Sequence, residues 1–225
     1  MRRFSLLAAV CLILLFFSCS DNPPQMNGIE WQVILFHNKL LNATYQKLSL
    51  YVSASDKDGA KDLAFLHVIN DDQEIYWSVP AEKWEKAVIR NNEWVGSSGF
   101  AMPDGQSLPT GSYRVVLEDL SGKKVESQIY IKKANVETSN ARFPVPRREG
   151  SRILVEGNFV SPELWVYDSN DQFLARLPLP KKSMEISAII SRNQERLAGG
   201  FTYYVYAKQP DVYFGVLDGP FYYAP

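Results

Sequence analysis

The sequence predicts an all-β fold, an antiparallel sandwich followed by a smaller β-rich second domain. Three observations carry that expectation. Apolar residues recur at period two in one segment after another, the spacing of a strand with one buried face. Asp, Asn, Gly, Ser and Pro punctuate these segments at regular intervals, as turns do in a sandwich. Aromatic residues make up 13% of the chain, with 12 Tyr and 12 Phe, a composition that suits strands better than helices. Helical periodicity is too scarce for a parallel α/β fold.

At the start, Arg2 and Arg3 precede an apolar run, residues 6–17, and then Ser18-Cys19-Ser20. A charged beginning, a short apolar stretch and a small-residue exit form the layout of an export signal. A bilayer span needs roughly 20 apolar residues, more than this run supplies. The stretch LLFFSCS resembles the lipobox of bacterial lipoproteins, in the looser form familiar from spirochaetes. Phe16 stands where Leu is usual and Phe17 where a small residue is usual, while Ser18 fits the pattern. The resemblance implies that residues 1–18 are a lipoprotein signal peptide and that Cys19 is acylated. The chain would then be tethered in the cell envelope to a bacterial membrane, periplasmic or surface-facing. The competing reading is ordinary cleavage after Ser20, which releases a soluble protein. Residues 19–28 are polar, contain Pro23 and Pro24, and read as a short stalk.

Removing Arg2 and Arg3 from 24 basic residues, against 25 acidic, leaves a mature chain of net charge about −3. Such a balance lacks the clustered basic surface of a nucleic-acid binder. Of the 2 cysteines, Cys11 lies in the export signal and Cys19 at the tether, so neither a disulfide framework nor a thiolate metal site is expected.

Residues 29–133 are expected as the first sandwich. Residues 31–37 alternate, and residues 48–55 do so more cleanly, with Leu48, Leu50, Val52 and Ala54 opposing Ser49, Tyr51, Ser53 and Ser55. Asp56-Lys57-Asp58-Gly59 makes a turn, residues 63–69 another strand, and Ile75, Trp77 and Val79 one face of the next. Pro80 then opens a helical candidate over residues 81–89, with Trp84, Ala87 and Val88 on one side. Residues 91–111 are rich in Gly, Ser, Pro, Asp and Asn and read as a long loop around one short strand. After it, LPTGSYRVVLEDLSGKKVESQIYIKK gives a hairpin turning at Ser121-Gly122. The phrases SDKDGAKDLAFLHV and LPTGSYRVVLEDLSGKK are similar to the turn and closing hairpin of bacterial Ig-like and fibronectin-III-like modules. That resemblance implies a fold and no activity.

Residues 134–150, with Pro144 and Pro146, read as a linker. Residues 151–225 follow as the small β-rich domain. Ile153, Val155 and Phe159 share a face of its first strand, and a hairpin turns at Asp168-Ser169-Asn170-Asp171. Met184, Ile186, Ala188 and Ile190 alternate as a strand, residues 191–198 suit a helical turn, and three short aromatic strands end the chain.

Several residues invite a chemical reading. Asp56, Asp58 and Asp62 are a candidate Ca²⁺ set, because hard cations take carboxylate oxygens. The loop lacks the remaining ligands of an EF-hand, and Asp at a tight turn needs no metal, so no metal site is expected. His37 and His67 are the only histidines, and their spacing forms no zinc motif. No nucleophile elbow or phosphate loop is present, so no catalytic residue and no cofactor are expected. The aromatics are the functional lead. Tyr204, Tyr206, Tyr213 and Tyr222, with Trp94 and Phe100 in the long loop, are the candidate binding residues, provided one face of their strands is exposed. The alternative is that they pack as core. The expectation is thus a non-catalytic binding module, held to a membrane by its lipid and meeting an unknown envelope protein or glycan. A carbohydrate-binding module using the C-terminal aromatics and an envelope hydrolase are the alternatives.

Overall fold

A computed structural model describes residues 22–89, 92–132, 141–208 and 214–225. Cys19 and the export signal lie outside the described residues, as does Tyr213. The first half contains β1 (Gln25–Asn38), β2 (Ala43–Ser55), β3 (Leu63–Asn70), β4 (Ile75–Pro80), β5 (Glu85–Ile89), β6 (Asn92–Ala101), β7 (Gly111–Asp119) and β8 (Lys124–Ile131). The second contains β9 (Val145–Glu149), β10 (Arg152–Glu156), β11 (Val160–Tyr167), β12 (Phe173–Pro178) and β13 (Ser183–Glu185). Two one-turn helices follow, α1 (Ile186–Ile190) and α2 (Gln194–Leu197), and then β14 (Phe201–Lys208) and β15 (Phe214–Tyr223). The all-β expectation holds. None of the described helices is long and apolar enough to cross a membrane.

Eight strands form one sheet in the order β12-β11-β14-β15-β1-β2-β6-β5. Its outer strands, β12 and β5, come back into contact, so the sheet is nearly closed. β1 and β15 pair in parallel, with Val33 opposite Phe214 and Leu35 opposite Val216. This ladder joins the segments 29–133 and 151–225 into one sheet.

Two outer layers cover the convex side. A four-stranded sheet, β4-β3-β7-β8, packs on the first half through Leu48, Leu50 and Val52 of β2 and Leu66, Val68, Val115 and Leu117 of β3 and β7. Tyr113, fully buried where β7 begins, donates its hydroxyl to Pro109 O at 2.8 Å. A three-stranded sheet, β13-β10-β9, and the two helices cover the other half, gathering Ile153, Val155, Leu164, Val166, Ile189 and Val205. The odd residues of β1 and the even ones of β2 therefore serve the outer cores. Their alternates line the concave side.

Five sequence expectations change. Residues 81–89 form a single 3-10 turn, Ala81–Lys83, and then β5. So short a helix would not offset its nucleation cost, whereas β6 offers a full antiparallel ladder from Glu85 to Ile89. The loop over 91–111 is in fact the ten-residue β6 followed by a shorter loop. Its Gly and Ser residues allow close packing, since a Cβ on Gly96 would lie 2.0 Å from Leu50 O. Residues 186–190 are helical rather than extended, because Ile186 and Ile189 bury at helical spacing. The expected stalk and linker both contain strand: 25–28 belong to β1, and 145–149 are β9. β9 is an edge strand, where Pro146 forfeits no ladder bond.

The β1–β15 ladder makes the last strand indispensable. A chain ending at residue 213 is expected to lose its cooperative urea transition and its near-ultraviolet circular dichroism, in both halves alike.

Candidate binding site inside the curled sheet

Period-two alternation sends Gln32 of β1, Ser49 and Tyr51 of β2, Glu163 and Trp165 of β11, Arg176 of β12 and Tyr206 of β14 to the concave side. Arg176 and Tyr51 meet across it, although their strands stand five places apart in the sheet. Only a curled sheet brings such side chains together.

Arg176 is the centre of this interior. Its Nη2 lies 2.6 Å from Tyr51 Oη, 3.1 Å from Ser98 Oγ and 3.3 Å from Ser49 Oγ. The guanidinium lies over the rings of Trp165 and Tyr51, 4.1 and 4.4 Å from their centroids, the geometry of a cation–π contact. Glu85 supplies the counter-charge at 4.0 Å, and its carboxylate accepts hydrogen bonds from the Tyr51 and Ser98 hydroxyls. Burial, reinforced by the Glu85 charge, pushes the Tyr51 phenol well above its usual range. Burial likewise lowers the Lys47 ammonium, and Glu85 opposes that shift. Lys47 lies over the Phe36 ring. Deeper in, Ile34, Phe36, Trp165, Tyr206 and Leu217 form an apolar plug.

Toward one end the interior opens into a cavity of about 340 Å³ lined by Glu30, Gln32, Ser49, Glu163, Arg176 and Lys208, among others. Tyr206 and Gln32 fix its wall, with Tyr206 Oη 2.5 Å from Gln32 Nε2 and 2.7 Å from Oε1. Gly215 makes this pair possible. A Cβ there would stand 2.2 Å from Gln32 Nε2 and 2.5 Å from the Tyr206 ring. A second cavity, about 610 Å³, opens at the seam between β5 and β12, where Lys86, Leu174 and Ile189 border it. Glu163 and Arg176 line both cavities, and Arg176 Nε is buried with no partner among the described residues. The ensemble offers donors, acceptors and two charges of each sign, suited to holding a polar molecule.

The predicted residues fall differently from expectation. Trp94 is buried against Tyr51 and Ala87, with its ring over Gly28. Phe100 belongs to the outer core of the first half. Tyr206 is buried in the cavity wall, and Tyr204 is half-buried beside Phe36 and Tyr167; burial pushes its phenol up to about 12. Tyr222 alone among the described candidates is well exposed, at 65%. Tyr213 lies outside the described residues. Sequence reasoning missed Arg176, Glu85 and Gln32. The polar alternates Ser49 and Tyr51 on an otherwise apolar strand were the one available signal.

Each histidine is paired. His37 Nδ1 lies 2.7 Å from Asp218 Oδ1. His67 stands between Glu118, 3.0 Å from Nε2, and Tyr76 Oη, 2.8 Å from Nδ1. The hydrogen bond from His67 holds the Glu118 carboxyl below its usual range.

No family model and no curated protein matches the chain. Among solved structures it is similar to a biofilm-associated protein, BSP domain, at 14% identity and a TM-score of 0.26, over 78% of this chain and 27% of that one. It is also similar to dimeric latent PorU from Porphyromonas gingivalis, at 9% identity and a TM-score of 0.33, over 90% of this chain and 20% of that one. The chain spans about a quarter of the first and a fifth of the second. Likenesses at these scores carry no argument about function.

Two substitutions test the interior. Arg176→Met leaves the partly buried Glu85 carboxylate without its cation and the Tyr51 hydroxyl without its donor, and is expected to cost about 2 kcal/mol in urea unfolding. Gly215→Val overfills the Gln32–Tyr206 contact and should cost about 2 kcal/mol by the same measurement.

Proposed function

We propose that this is an exported, lipid-anchored envelope protein that acts by binding rather than turnover, with its ligand seated in the cavity at Arg176. The observation that carries this reading is the convergence of Gln32, Glu163, Arg176 and Tyr206 from four strands on one open cavity. A rigid, mostly pre-formed pocket with a few convergent polar groups is the usual form of a small-ligand site. The lipobox-like LLFFSCS supports the tether. Incorporation of radiolabelled palmitate into the wild-type chain, and its loss in Cys19→Ala, is the expected result for the anchor.

The first half is proposed to be an Ig-like or fibronectin-III-like module. Its strand orders, β1-β2-β6-β5 facing β4-β3-β7-β8, support this, being those of a sandwich whose strands ABED oppose CFG. So does the Tyr113–Pro109 bond, which has the form of a tyrosine corner.

A glycan is the favoured ligand class. Glu30, Glu163, Arg176, Lys208 and Gln32 line the cavity, so a neutral polyhydroxyl compound finds both donors and acceptors there. Titration with a panel of monosaccharides, followed by intrinsic tryptophan fluorescence, should give a saturable change that Arg176→Met removes. No response to any sugar in the panel at about 50 mM, far weaker than ordinary binding, would remove the glycan reading.

A further inference from the structure

Asp119 ends β7 with an exposure of 1%. All three hydrogen bonds to its carboxylate fall on Oδ1, from the Ser121 amide and hydroxyl at 2.9 and 2.7 Å and the Lys123 amide at 2.9 Å. Its Oδ2 is buried with no partner among the described residues. Asp56, on the turn between β2 and β3, also has a buried Oδ2 with no partner among the described residues. Carboxylate oxygens of Asp56, Asp62 and Asp119 all lie within 4.8 Å of one another.

Three carboxylates gathered this closely repel, and an ionised oxygen without a partner in a buried place is costly. The other half of the chain shows how the same device is completed. Asp168 closes the β11–β12 turn as Asp119 closes the β7–β8 turn, with Oδ1 taking the Asn170 and Gln172 amides at 2.9 Å. Its Oδ2, however, receives Arg196 Nε at 2.7 Å. At Asp119 the corresponding oxygen has no partner among the described residues, and Asp56 and Asp62 each bring a carboxylate oxygen within 4.8 Å of one of its own.

We propose that Asp56, Asp62 and Asp119 bind one calcium ion, which ties the β2–β3 crossover to the β7–β8 turn. Calcium takes six to eight oxygens in an irregular cage, so water and backbone carbonyls complete a shell that three carboxylates begin. Oxygens around one ion at about 2.4 Å lie no more than about 4.8 Å apart, as they do here. Asp58, whose carboxylate accepts the Asn22 amide at 2.7 Å, is not among the carboxylates gathered within 4.8 Å. The ion would fix the point where the chain leaves the eight-stranded sheet for the four-stranded one, since Leu120 N already bonds Asp62 O across these two turns at 2.7 Å.

The test uses the full chain in detergent, stripped with EGTA and titrated with CaCl₂ by calorimetry and thermal unfolding. One site is expected, with Tm rising by about 5–10 °C at a hundredfold excess over Kd. Asp119→Asn and Asp62→Asn keep the turn geometry and should weaken binding at least tenfold. Asp72→Asn, on the turn at the far end of β3, should bind as the wild type does. If Asp119→Asn fails to fold, Asp56→Asn carries the same expectation. The proposal is overturned if the wild type shows neither heat nor Tm shift at about 10 mM Ca²⁺, beyond the weakest extracellular sites. It is equally overturned if the Asp62 and Asp119 variants (or Asp56→Asn in place of the latter) bind as the wild type does, or if Mg²⁺ gives the same shift at the same concentration.

Discussion

The parallel ladder between β1 and β15 closes the chain on itself, setting Val33 beside Phe214. A contact between positions so far apart in sequence has a large loop-closure cost, and something must repay it at once. Here the repayment comes from both faces. On the convex side Leu35, Ala207, Phe214 and Val216 pack together; on the concave side Gln32 meets Tyr206 across Gly215. Without the ladder, each half would be a four-stranded edge exposed to water and to other chains. With it, two small bodies share one sheet and one interior.

That interior is unusual in what it buries. Arg176, Glu85, Tyr51, Ser49 and Ser98 occupy ground that a simple sandwich would surrender to solvent. A polar network in a low-dielectric site is favourable when every member is satisfied and costly when one is missing. Arg176 meets three hydroxyls and a carboxylate through its Nη2, and its guanidinium lies over two aromatic rings. Its Nε has no partner among the described residues and lies at the boundary of two cavities. A binding site and a structural keystone thus coincide at one residue.

Strand positions were legible because alternation is local. The Leu48–Leu50–Val52 face identified β2 and its buried side, and the hairpin at Ser121-Gly122 stands where turn chemistry put it. What alternation cannot report is what the other face meets. Ser49 and Tyr51 have the pattern of a solvent-facing set, yet the curl of the sheet buries them. Trp94 and Phe100 sit in a Gly/Ser-rich stretch whose glycines permit tight strand packing, so composition suggested a loop. The acidic turn was visible as Asp56, Asp58 and Asp62, but Asp119 comes from a distant hairpin, and no local motif joins it to them.

Amide hydrogen exchange, resolved strand by strand, tests the shared sheet most directly. If β1 and β15 hold the two halves in one cooperative unit, amides of β2, β1, β15 and β14 exchange with a common free energy, equal to that of global unfolding. Protection of β14 and β15 that is lost at a distinctly lower free energy, while β1 and β2 stay closed, would contradict a single sheet and leave two bodies merely in contact.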